Sequence, residues 1–145
     1  GTIMRTGFSY LYIDQECSVI DPRLTVFEQT ERFNTGNWAE HELKSILNRY
    51  LFPYDTWDKG CACLSGGEKI RLLFCCLMIG NNAPDVFILD EPTNNLDIQS
   101  VEIITAAIKS YRGTVLLISH DHYFVKEIKI NRSIKLFDTG SVIKI

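Results

Sequence analysis

The chain has 145 residues, 46% of them hydrophobic, and a formal net charge of −3. That length suits one domain or most of one, with a sizeable core, and the mild acidity excludes a whole-chain field that would gather nucleic acid, leaving only a local basic patch at Lys69 and Arg71 open. No apolar run reaches the roughly 18 residues of a membrane span, the opening G-T-I-M-R-T-G lacks a signal-peptide core, and the five cysteines, without a C-x-x-C spacing, set aside a disulfide framework and a zinc site.

The aromatic and branched stretch 8–13 predicts a strand ending at Asp14-Gln15. Pro22 marks a turn. Thr25 and Glu28 have capping-box spacing, so a short helix is expected through about Arg32. Gly36 breaks the chain. Asn37 is the expected cap of a second helix, whose apolar face is Leu43, Ile46, Leu47, Tyr50 and Leu51 and which Pro53 ends. These two helices and the irregular stretch from Tyr54 to Cys63 read as a small helical insert over about 22–63. Ser65 then opens a helix that is apolar nearly all round and is expected to be buried, Cys75 and Cys76 included; Gly80, Asn81-Asn82 and Pro84 stop it. The unbroken apolar runs 86–89 and 114–118 predict strands buried on both faces of a parallel sheet. Between them Asp97 is the expected cap of a helix with Val101, Ile104, Ile108 and Tyr111 on one face, stopped at Gly113. A short helix is expected at 123–128, and a hairpin around Thr139-Gly140 over about 132–145. Strands alternating with helices imply an α/β domain with a mainly parallel sheet flanked by helices.

Two stretches carry chemistry. Ser65, Gly66, Gly67 and Glu68 fit a capping box and can be simply a helix start. The same geometry presents free N–H groups to phosphate, with two glycines that let it approach. Asp90 closes a buried strand and Glu91 follows it, at the strand end where open α/β sheets bind ligands. Two adjacent carboxylates repel unless a cation is near. Asp90 is therefore the candidate for Mg²⁺, held largely through water, and Glu91 for orienting or deprotonating a water. His120 follows the neighbouring strand and could reach a terminal phosphate, or could simply sit in the turn that caps the next helix. Three successive residues, Ser119-His120-Asp121, cannot form a hydrolase relay. Gln15 past its strand can reach a metal or water, or be a plain loop amide. His41 and His122 read as surface residues.

L-S-G-G-E at 64–68, F-I-L-D-E-P-T-N-N-L-D at 87–97 and S-H-D at 119–121, in this order, resemble the ATP-binding cassette ATPases. The resemblance implies a P-loop NTPase-type fold and hydrolysis of ATP with Mg²⁺. It makes Gln15 the Q-loop glutamine and a magnesium neighbour, and Ser65, Gly66, Gly67 and Glu68 the signature loop. It makes Asp90 the end of the Walker B strand, Glu91 the catalytic carboxylate, Asp97 the D-loop aspartate and His120 the switch histidine. The Walker B to H-loop region is then about 84–128. E-P-T-N-N-L-D, S-H-D-H-Y-F and Y-I-D-Q resemble the ABC-F proteins more than transporter cassettes. ABC-F proteins are soluble, carry two cassettes, and many act on the ribosome or in antibiotic resistance. A cytoplasmic location, a second cassette as partner, no direct membrane insertion and the position of second cassette in a chain are the matching expectations. No G-x-x-x-x-G-K-[ST] occurs in the 145 residues, so the domain is expected to be incomplete and inactive by itself. The alternatives are a transporter's nucleotide-binding domain and a non-catalytic interaction fragment that binds no ATP alone.

Overall fold

The computed structural model describes residues 7–14, 16–80, 83–136 and 142–144. Three parallel strands, β1 (Tyr10–Ile13), β2 (Val86–Asp90) and β3 (Thr114–Ile118), form a sheet in the order β1-β2-β3. Parallel neighbours require long crossovers. The first crossover holds α1 (Val26–Phe33), α2 (Glu40–Arg49) and α3 (Gly66–Ile79); the second holds α4 (Ile98–Ser110). After β3 come α5 (His122–Glu127) and an antiparallel pair, β4 (Ile134–Leu136) with β5 (Val142–Lys144). That pair stands where the hairpin is expected; its turn, Thr139-Gly140, lies outside the described residues, as do Asn81 and Asn82.

The insert starts as its residues predict. Thr25 accepts from the Glu28 amide, and the Glu28 carboxylate accepts from the Thr25 amide, a complete capping box. The second helix departs from expectation. Its N-cap is Ala39, not Asn37, and Glu42 supplies the carboxylate that takes the Ala39 N–H. Asn37 instead turns the chain at φ 55, while the Asn34 side chain clamps Trp38 through both its N–H and its C=O. The stretch 54–63 contains two short 3-10 turns, Tyr54–Thr56 and Cys61–Cys63. It is fixed to α1 by backbone bonds from Val26 to Lys59 and from Phe27 to Trp57.

Helix α3 is the hub of the core. Leu72, Leu73, Cys75, Cys76 and Ile79 are each fully buried. Burying a leucine or isoleucine side chain contributes roughly 1.5–3 kcal/mol, so α3 holds the insert on one side and α4 and the sheet on the other. Phe74 meets Phe87 of β2 edge-on, and Phe87 stacks on Tyr111 at the end of α4.

The sheet is one-sided. Register places Leu11, Phe87 and Val115 in one row and Ile13, Leu89 and Leu117 in the next; these rows face the core. The alternate rows face out, as a period of two requires. Tyr10 and Tyr12 are 44% exposed, Leu116 51% and Ile118 50%. The expectation of strands covered on both faces is therefore corrected. The apolar runs are real, but the described residues supply helices to one face only.

Candidate functional site

The carboxyl ends of β2 and β3 bring Asp90, Glu91 and His120 together. Asp90 stands opposite Ile118 in the ladder, and the next amide, that of Glu91, donates to the Ile118 carbonyl at 2.8 Å. Glu91 then leaves the sheet with φ 48. A left-handed backbone costs an ordinary residue roughly 1–2 kcal/mol, and strain of this kind gathers where a side chain must be aimed. Here it turns the carboxylate toward β3, where Oε1 lies 2.8 Å from His120 Nδ1. The other oxygen, Oε2, is buried and has no hydrogen-bond partner. A buried carboxylate oxygen left bare is costly, and it is the arrangement that a water would complete. The hydrogen bond and charge of Glu91 raise the pKa of His120 above its usual value, which favours the ring as a donor from both nitrogens.

Asp90 lies in the outward row of the sheet, two residues along β2 from Ile88, which pairs with Tyr12. The Tyr12 hydroxyl donates to Asp90 Oδ2 at 2.9 Å, and that bond pushes the phenol pKa up. Tyr12 thus fixes the Asp90 carboxylate. The residues fit magnesium: a single strand-end carboxylate is what a cation that keeps most of its waters and binds mainly to phosphate needs. Asp90 would hold the ion. Gln15, the other residue expected near it, lies outside the described residues.

At the tip of α3, Ser65 Oγ accepts from the Glu68 amide and Glu68 Oε2 accepts from the Ser65 amide. Glu68 Oε1 takes Lys59 Nζ at 2.8 Å. Burial pushes the Glu68 carboxyl up, but the bonds from Lys59 and Ser65 outweigh it and hold the group below its usual value. Glu68 therefore acts as a cap and an anchor. The parts of the loop open to an anion are the Ser65 hydroxyl and the amides of Gly66 and Gly67, which precede the first intrahelical bond from Lys69 N to Ser65 O. Asp97 caps α4: its two oxygens take the Ser100 amide and hydroxyl, both at 2.8 Å. The bonds from Ser100 hold its carboxyl below the usual range.

Two participants escaped the sequence reading. Lys59 leaves no local signal. Tyr12 leaves one, a hydroxyl-bearing aromatic on β1, but only the strand register shows that it reaches Asp90.

The protein-family model described as ABC transporter matches residues 3–94. The chain belongs to the ABC transporter family. Its cassette is of the ABC-F-like type: ABC transporter F family member 5 of Arabidopsis thaliana is 42% identical over 128 residues, 88% of this chain. The chain spans only 18% of that relative's length. Among solved structures, a chain in the complex of archaeal ribosomal stalk protein aP1 with archaeal ribosome recycling factor aABCE1 matches 99% of the cassette segment at a TM-score of 0.73 and 21% identity. The segment covers 28% of that chain. The ATP-binding cassette MJ0796, in a dimeric post-hydrolysis state with ADP and Pi, matches 83% of it at a TM-score of 0.61 and 20% identity, over 56% of its own length. These structures share the fold: a parallel sheet flanked by helices, of which the 145 residues form a part.

Proposed function

We propose that this segment works in ATP hydrolysis within an ABC-F-type protein, contributing the water-activating half of one site and the signature tip of another. The observation that carries this reading is the bare, buried Oε2 of Glu91 beside His120 at the end of two parallel strands. Glu91 Oε2 accepts a proton from the attacking water, whose oxygen bonds to the γ-phosphorus in line as the bond to the bridging oxygen breaks and ADP leaves. His120 holds Glu91 through Nδ1 and offers Nε2–H to a phosphate oxygen. Mg²⁺, when bound, neutralises phosphate charge; Asp90, steadied by Tyr12, is the residue that would carry it, and the family resemblance adds Gln15 as a second ligand. The Ser65 hydroxyl and the amides of Gly66 and Gly67 meet the phosphate of a second cassette's nucleotide, and Asp97 lies at that same junction. Glu68 shapes the tip without touching the nucleotide.

The segment carries no G-x-x-x-x-G-K-[ST], the loop that cradles the phosphates and supplies their lysine. Hydrolysis therefore belongs to the complete cassette, and the 145 residues alone are inactive. The likeness to the F family supports a cytoplasmic protein whose partner is the ribosome. It is accompanied by buried thiols at Cys17, Cys61, Cys75 and Cys76, and no helix among the described residues is long and apolar enough to cross a membrane. In the complete cassette, Glu91→Gln is expected to cut ATP turnover by roughly 10²–10⁴-fold while nucleotide binding persists. Turnover equal to wild type would remove Glu91 from its role.

A further inference from the structure

The two glycines at the tip of α3 have different surroundings. A Cβ on Gly66 would meet nothing within 4 Å. A Cβ on Gly67 would lie 3.2 Å from Leu96 Cδ2, 3.7 Å from Ser100 Oγ and 4.0 Å from Asp97 Oδ2. Gly66 is exposed and Gly67 is buried. Both sit in helical backbone that any residue adopts, so conformational freedom does not call for glycine at either place. In a helix, glycine is destabilising relative to alanine. At Gly67 the surroundings are tighter: a Cβ there would require the Leu96 side chain to give by a few tenths of an ångström.

Leu96 is not an isolated neighbour. Its amide bonds to Thr93 O, and the Asn94 amide bonds to Glu91 O, so short turns run unbroken from the water-activating carboxylate to the seam. Next to Leu96, Asp97 is locked by the fully buried Ser100. One turn further along α3, Arg71 bonds the carbonyls of Tyr50 and Leu51 that end α2. The tip of α3 thus meets the end of the loop 91–97 at Gly67, with Leu96 and Asp97 among its neighbours.

We propose that Gly67, beyond the phosphate-facing amide it shares with Gly66, is a positioning residue: by leaving Leu96 undisturbed it sets the spacing between the tip of α3 and the Glu91 loop, which Gly66, with nothing beside it, does not. The proposal rests on the ATPase reading for what the spacing serves.

The test is a cycle of Gly67→Ala, Leu96→Ala and the double variant in the complete cassette, with Gly66→Ala alone and combined with Leu96→Ala. Turnover, nucleotide affinity and the urea midpoint of unfolding are measured for each. Gly67→Ala is expected to lower kcat roughly ten- to hundredfold, as small misplacements of reacting groups do, with nucleotide affinity changed less than about threefold. Trimming Leu96 in the same chain restores most of the loss, and the midpoints are non-additive, as for residues in contact. Gly66→Ala is not rescued by Leu96→Ala. A double variant no faster than Gly67→Ala would overturn the proposal, as would a Gly67→Ala enzyme at wild-type kcat or a Leu96→Ala rescue of Gly66→Ala. Wild-type turnover indifferent to Glu91→Gln would sink the ATPase reading instead. The seam is then judged by the unfolding midpoints, and additive midpoints overturn it.

Discussion

His120 and Glu91 sit on different strands' ends, 29 residues apart in sequence, and each alters what the other does. The carboxylate stabilises the imidazolium, so the folded-state pKa of His120 lies above its ordinary 6.5. The sign follows from linkage. The contact's contribution is complete below the unfolded value and is lost as pH rises through the raised folded value. An NMR titration of His120 in this chain is expected to show a midpoint above 6.5, and Glu91→Gln is expected to bring it down. A midpoint that ignores the substitution would show that the pair is not formed in solution. Sequence alone brought out Asp90, Glu91 and His120, because each stands at the end of an apolar run where chemistry gathers. It could not show that Glu91 turns its backbone to φ 48, or that one carboxylate oxygen ends up paired and the other bare. Those facts depend on where β3 ends relative to β2, which is a matter of register.

At the level of elements, the local rules that succeeded are those whose partners are close in sequence. The boxes at Thr25 and Ser65 and the cap at Asp97 each join a side chain to an amide three residues on, so the residue types and spacing suffice. The start of α2 departs from spacing: Asn37 is a good cap by type, yet the Asn34–Trp38 clamp and the Trp38 indole bond to Ile79 O decide the path of the chain before the helix begins. Bonds of that reach are invisible to spacing. The seam between Gly67 and Leu96 is another such contact: two glycines in a row look alike in the sequence and differ only in what packs against them. The capping argument gives a direct expectation. Thr25→Ala should cost about 1 kcal/mol of stability, read as a lowered urea midpoint at constant m-value. Because Thr25 is remote from Glu91 in the fold's working end, ATP turnover in the complete cassette should survive it. A midpoint equal to wild type would mean that the box contributes nothing.

For the whole molecule, the outward rows of the sheet dominate behaviour. Parallel sheets are ordinarily covered on both faces, whereas here Tyr10, Tyr12, Leu116 and Ile118 are all about half exposed. A contiguous apolar surface of this kind promotes association. The 145-residue chain is expected to scatter light as more than a monomer at micromolar concentration. Leu116→Lys with Ile118→Lys should shift it toward the monomer without unfolding it, since neither side chain belongs to the core. A monodisperse wild-type monomer would refute this. The strands and the flanking helices were legible from alternation and apolar runs; the strand order was not. The bare face was not, because an apolar run records the demand for a cover and is silent on whether the cover is supplied.

Asp90 shares that bare face with the apolar residues around it. A surface that covers Tyr12, Ile88 and Leu116 would also dry out the Asp90 carboxylate and lower the dielectric around it, which strengthens every charge interaction there. Covering the apolar face and strengthening the Tyr12–Asp90 contact at its edge would consequently be one event.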